Sequence, residues 1–167
     1  MVRHHAVRHL ERLPPATPYP EVFARLTEVF AAPPLRDSRL VVDYTGVGRP
    51  VLNMLRKARV GAKVTPMFVT TGKHSSPDER GGWSVPRQEL AATLQVLLQA
   101  RRLRVAPALP EAAMLAKELA ASQVKVSEAA EMEMDAWRQG TRDDLVLAVA
   151  VAAWLGEHAL RRLVVWV

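Results

Sequence analysis

Cysteine is missing from this 167-residue chain. Disulfides and thiolate metal sites are therefore excluded, and thiol usage says nothing about redox compartment. A long apolar run is missing too. The greasiest stretch, Leu145 to Gly156, is about a dozen residues, where a bilayer span takes about 20. The opening residues, MVRHHAVRHLERL, hold no apolar core of the kind a secretion signal needs. A cytoplasmic protein with no membrane partner is the expectation. No GxxxxGKS or GxxxxGKT loop occurs, so no P-loop ATPase motor is expected. His4, His5 and His9 lack the further ligands, at suitable spacing, that a zinc site needs. There is no internal repeat and no low-complexity tract.

What is present fits a globular domain. Apolar residues make up 49% and charged residues 24%, which argues against disorder. The length suits a single domain spanning 1–167, with a core over about 4–158 and a tail at 159–167. The net charge is +6, from 23 Lys and Arg against 17 Asp and Glu. A basic surface attracts polyanions and speeds encounter with them. Its small clusters, Arg56-Lys57-Arg59-Lys63 and Arg101-Arg102-Arg104, also read as a solvated, arginine-rich face.

Strand and helix signals alternate along the chain. Residues 4–13 alternate loosely and read as a strand. Pro14, Pro15, Pro18 and Pro20 then enforce an extended connection. Val22, Phe23, Leu26, Val29 and Phe30 fall at helical spacing over 20–31, and Pro33-Pro34 stops that helix. Leu40-Val41-Val42 is a short buried strand ending at Asp43. A helix over 50–58 and a strand over 63–71 follow, and 72–83 read as a polar loop. Leu90, Leu94, Leu97 and Leu98 mark a helix opened by Pro86. Leu103 to Val105 is a strand, and Pro110 opens another helix. Residues 123–127 and 132–137 alternate as a possible hairpin, and Thr141 starts a last helix to about His158. This order implies a mixed α/β sheet with helices packed on it.

Two constellations carry chemistry. Asp43 sits where a buried strand gives way to Thr45, Gly46 and Gly48. The carboxyl ends of strands in open α/β sheets are where ligands bind, and the glycines leave room beside the carboxylate. The plainer reading is a carboxylate that caps its own turn. The second constellation is Thr141-Arg142-Asp143-Asp144 before an apolar helix. Thr141 with Asp144 resembles a capping box, and acids here complement the helix dipole. Two adjacent carboxylates also repel, and a divalent cation would relieve that repulsion. Elsewhere, Lys73 and Arg80 in the polar loop are candidates for phosphate contacts or for plain solvation. Trp83, Trp137 and Trp154 read as core or rim residues.

Taken in order, Asp43-x-Thr45-Gly46-x-Gly48, Val69-Thr70-Thr71-Gly72, Val85-Pro86-Arg87-x-x-Leu90, Arg101-Arg102-Leu103, Glu118-Leu119 and Arg142-Asp143-Asp144-Leu145-Val146-Leu147-Ala148 form a set. The set resembles the C-terminal nuclease domain of phage terminase large subunits, of the RNase H-like superfamily, from about His9 to His158. The resemblance implies an RNase H-like mixed sheet flanked by helices. It implies a two-metal endonuclease that cuts double-stranded DNA during packaging, with Mg2+ or Mn2+ held by carboxylates. Asp43 matches the family's second acidic position. Asp143 and Asp144 match the third, and either one could face the metal. Arg87 replaces the family's usual Lys and Arg142 its usual His, and both are DNA-binding candidates with Lys73 and Arg80. The family's first strand and its acid have no counterpart here. The chain is therefore expected to lack the first strands of the fold, to hold metal weakly and to have reduced or no activity. A partner chain or a homo-oligomer could complete the sheet. The alternative is a non-catalytic prophage remnant acting as a DNA- or protein-binding module.

Overall fold

A computed structural model describes residues 2–46, 48–128 and 143–158 of the chain. Its elements, in chain order, are β1 (His5–Val7), α1 (Tyr19–Ala31), β2 (Arg39–Asp43), α2 (Gly48–Ala58), β3 (Lys63–Thr70), β4 (Ser76–Asp78), β5 (Gly82–Pro86), α3 (Arg87–Gln99), β6 (Leu103–Val105), α4 (Ala112–Glu128) and α5 (Asp144–His158). One 3-10 turn, Pro33–Leu35, follows α1, where the two prolines end the helix as their missing N–H groups require. The architecture is mixed α/β.

The main sheet runs β2-β3-β5-β4. The first three strands are parallel, and β4 lies antiparallel to β5. β1 and β6 form a separate parallel pair, His5 opposite Leu103. The core is built where the sheet meets α3 and α5. Met67 on β3 and Val85 on β5 are fully buried and pack with Leu90, Leu94, Leu97, Val149 and Leu155. α5 is apolar all round, as a helix enclosed by neighbours must be. Its Trp154 meets the edge of Trp83 at 5.4 Å, stacks on His158 and donates its Nε1–H to Glu89 at 2.8 Å. Trp83 and Trp154 are thus packing residues, as their amphipathic rings favour.

Three expectations change. The strand anticipated over 4–13 is only His5–Val7. Its partner β6 has three residues, so the ladder ends there and the chain leaves the sheet. The loop anticipated over 72–83 contains a hairpin. Its turn is held by Asp78, whose Oδ1 accepts the Arg80 N–H at 3.1 Å, and by Gly81 at φ +77°. Residues 123–127 are helical, not half of a hairpin. The run AAMLAKELAAS before them is rich in strong helix formers, and helix propagates more easily than it nucleates. The other anticipated half, 132–137, lies outside the described residues, as do Trp137, Thr141, Arg142 and the tail 159–167.

Candidate functional site

Asp43 ends β2 and turns back on its own chain. Its Oδ1 accepts the Thr45 N–H at 2.9 Å and the Thr45 hydroxyl at 2.5 Å. Thr45 Oγ1 in turn accepts the Val69 N–H at 2.8 Å, which ties the turn to the end of β3. The capping role read from the sequence is therefore real, and it orients the carboxylate at the carboxyl edge of the sheet. Gly48 takes φ +72°, a conformation that favours glycine, whereas a Cβ at Gly46 would meet only open space.

Asp143 and Asp144 have different surroundings. Asp143 Oδ2 accepts from Arg87 Nη2 at 2.8 Å. Arg87 comes from the first turn of α3 and is half-buried. Burial pushes its guanidinium below the ordinary range, while the negative charges of Asp143 and Asp43 act the other way. Of the two, Asp143 is thus the bonded partner of this guanidinium, and Asp43 acts on it through its charge alone. Asp144 is exposed in the first turn of α5 and shares a groove with Asp43. The groove has a volume of about 380 Å³. Leu40 and Val41 of β2, Val22, Leu26 and Phe30 of α1, and Leu147 and Val151 of α5 help to line it.

The start of α5 is fixed by a residue that the sequence did not single out for this role. Glu118 of α4 is buried, and its Oε2 accepts the N–H groups of Leu145 at 3.1 Å and Val146 at 3.3 Å. Arg12 donates to its other oxygen. A remote carboxylate thus satisfies amides that a helix leaves orphaned at its start. Sequence offered only a buried-range acid within an amphipathic helix, which is a weak signal.

The other candidate cations divide. Lys73 is exposed in the loop between β3 and β4. Arg80 donates to Asp78 Oδ1 at 2.9 Å and to the Tyr44 hydroxyl at 3.2 Å, and lies 5.6 Å from the Tyr44 ring centre. The Tyr44 hydroxyl donates to Asp78. Arg80 is thus committed to the β4–β5 hairpin.

Comparison with family models, with curated proteins and with solved structures gives no match. The chemistry rests on the residues themselves. Among the described residues, no group of three or more His, Cys, Asp or Glu is arranged to hold a metal ion. Asp43, Asp144 and Glu11 all line the groove, but Glu11 is paired with Arg25, and Asp143 is neutralised by Arg87. Two hard oxygen donors suit one Mg2+ or Mn2+ ion that completes its shell with water and phosphate oxygens. They do not supply the ligands of a two-ion centre. Among the described residues, no helix is long and apolar enough to cross a membrane.

Proposed function

We propose that this chain is a terminase-like, RNase H-like endonuclease domain that acts on double-stranded DNA in the cytoplasm and uses a single, weakly held Mg2+ or Mn2+. The observation that carries this reading is the shared groove of Asp43 and Asp144, which lie 101 positions apart in the chain. Each is placed by its own fixed device: Asp43 by the Thr45 turn, and the start of α5 by Glu118. A bound divalent ion would supply a Lewis acid for the phosphodiester and a more acidic water. The chain's own part is to hold two carboxylates at the sheet's carboxyl edge and to keep Asp143 and Arg87 paired beside them. The net charge of +6 favours encounter with duplex DNA, and exposed Lys73 is available for a phosphate contact.

The second reading is a non-catalytic DNA- or protein-binding module. The Arg87–Asp143 pair favours it, because it removes one acid from metal service. Nicking of supercoiled plasmid in Mn2+ separates the two. The parent chain should nick, Asp43→Ala and Asp144→Ala should not, and Asp143→Asn should retain activity. Mn2+ binding, followed by electron paramagnetic resonance, should weaken in the first two variants only. A parent as inert as Asp43→Ala, with salt-dependent DNA binding intact, leaves the binding module standing.

A further inference from the structure

β2 has the composition of an interior strand and the position of an edge strand. Leu40, Val41 and Val42 form a continuous apolar run, as in strands covered on both faces. Yet all five β2 residues are only half-buried, while Met67 and Val85 on the next strands are sealed. In a parallel ladder, one residue's N–H and C=O face the same neighbour, and successive residues alternate sides. The Ser38 carbonyl accepts from Lys63, and the Tyr44 N–H donates to Met67, so the even-numbered residues of β2 face β3. The backbone groups of Arg39, Val41 and Asp43 therefore face away from it. No strand pairs with them among the described residues. That side opens into the groove between α1 and α5.

The slot beside this strand edge is lined mostly by apolar side chains of α1 and α5, with His9, Glu11 and Arg25 also on its wall. An occupant covered by helices on both faces must be apolar at every position, not at alternate ones. At least nine residues follow His158, and five of them, Leu163-Val164-Val165-Trp166-Val167, are a continuous apolar run rich in β-branched residues. The segment 129–142 has no such run. The path also fits. α5 starts beside Asp43 and has 15 residues, so it carries the chain about 22 Å away. Nine extended residues span about 30 Å, enough to return.

We propose that residues 163–167 of the same chain dock in this groove as an added strand on the free edge of β2, running parallel to it toward Asp43. The proposal does not depend on the nuclease reading. It closes an edge that would otherwise invite pairing with other chains.

Amide hydrogen exchange by NMR on the full chain tests it. The Val41 and Asp43 amides should be protected in the parent. They should exchange at least about tenfold faster in the double variant Val164→Pro, Val165→Pro, which removes a donor facing β2 in either register, while Met67 is unchanged. Because the chain has no cysteine, Val167→Cys takes a single nitroxide label. The label should broaden the Val41, Asp43 and Leu147 amide signals, independently of protein concentration. Fast exchange at Val41 and Asp43 in the parent overturns the proposal, as does protection that survives the double proline variant. Broadening seen only between separately labelled chains assigns the slot to a second copy and overturns it as well.

Discussion

Glu118 shows how one side chain can settle where a helix begins. It sits inside the protein with 7% of its surface exposed, a position that an unpaired carboxylate would not tolerate. Arg12 and the two amides of α5 make it tolerable. Glu118→Ala would leave Arg12 and both amides without that acceptor. It should lower unfolding stability by about 3 kcal/mol, the low end for a broken buried pair because Arg12 is partly exposed. Glu118→Gln keeps an acceptor oxygen and should cost less. Urea titrations of the three chains would check the order, and equal midpoints would refute it. The acids at the groove show how far sequence reaches at this scale. Asp43 stood out as a lone acid after Leu40-Val41-Val42, and the turn-capping role that the sequence also suggested is the one its hydrogen bonds show. The choice between Asp143 and Asp144 was not legible. Asp143 precedes α5 and Asp144 opens it, and what separates their surroundings is Arg87, which arrives from another helix and pairs with Asp143 alone of the two.

At the scale of elements, most of the pattern could be read because burial writes periodicity into sequence. The leucines of α3 and the β-branched run of β2 are such cases. The β4–β5 hairpin escaped because polar contacts hold it. Tyr44 reaches Asp78 and Arg80 from 34 and 36 positions earlier in the chain, and no apolar alternation announces β4. The junction of β3 and β5 was also hidden. Pro66 lies within a strand that has neighbours on both sides, where proline is usually excluded. Its missing N–H would face the turn before β5, so no ladder bond is lost. Opposite it, a Cβ on Gly82 would stand 1.9 Å from the Pro66 carbonyl oxygen and 2.7 Å from its ring. Backbone cannot yield as a flexible side chain does. Gly82→Ala should therefore destabilise by about 3 kcal/mol, the upper part of the usual overpacking range. Gly81→Ala meets no neighbour, and only its φ of +77° strains it, so it should cost less. Thermal unfolding of both variants would check the difference, and a Gly82→Ala chain as stable as the parent would refute the close approach.

At the scale of the whole molecule, the beginning of the chain is bound to the end of α5 by charge. Arg3 donates from Nη1 to the carbonyls of Gly156 at 2.6 Å and Glu157 at 2.7 Å. Cationic groups belong there, since the end of a helix carries partial negative charge. The Glu157 carboxylate accepts from His5 Nε2 at 2.7 Å and from Arg102 Nη2 at 2.7 and 2.8 Å, and Arg102 Nε donates to the Arg3 carbonyl. Burial alone would raise the Glu157 carboxyl, but Arg102 and His5 outweigh it and hold it below its ordinary 4.5. A carboxyl depressed in the folded state binds protons more readily when unfolded. Its stabilisation is therefore present above about pH 4.5 and is lost as pH falls through the lower folded value. The contribution should be about 2 kcal/mol, as for charge-assisted bonds of partly buried groups. Glu157→Gln should lose that amount near neutral pH and little once the pH has fallen below the lowered folded value, so its stability should fall less steeply with acid than the parent's. Asp78 and Glu11 are depressed too, by Tyr44 and Arg80 against burial in one case and chiefly by Arg25 in the other. They too lose stabilisation as acid is added, so the variant should keep part of the slope. Urea midpoints of parent and variant across the acid range measure it directly. Parallel curves would show that the charged clasp between Arg3, His5, Arg102 and Glu157 does not hold the two ends of the fold together.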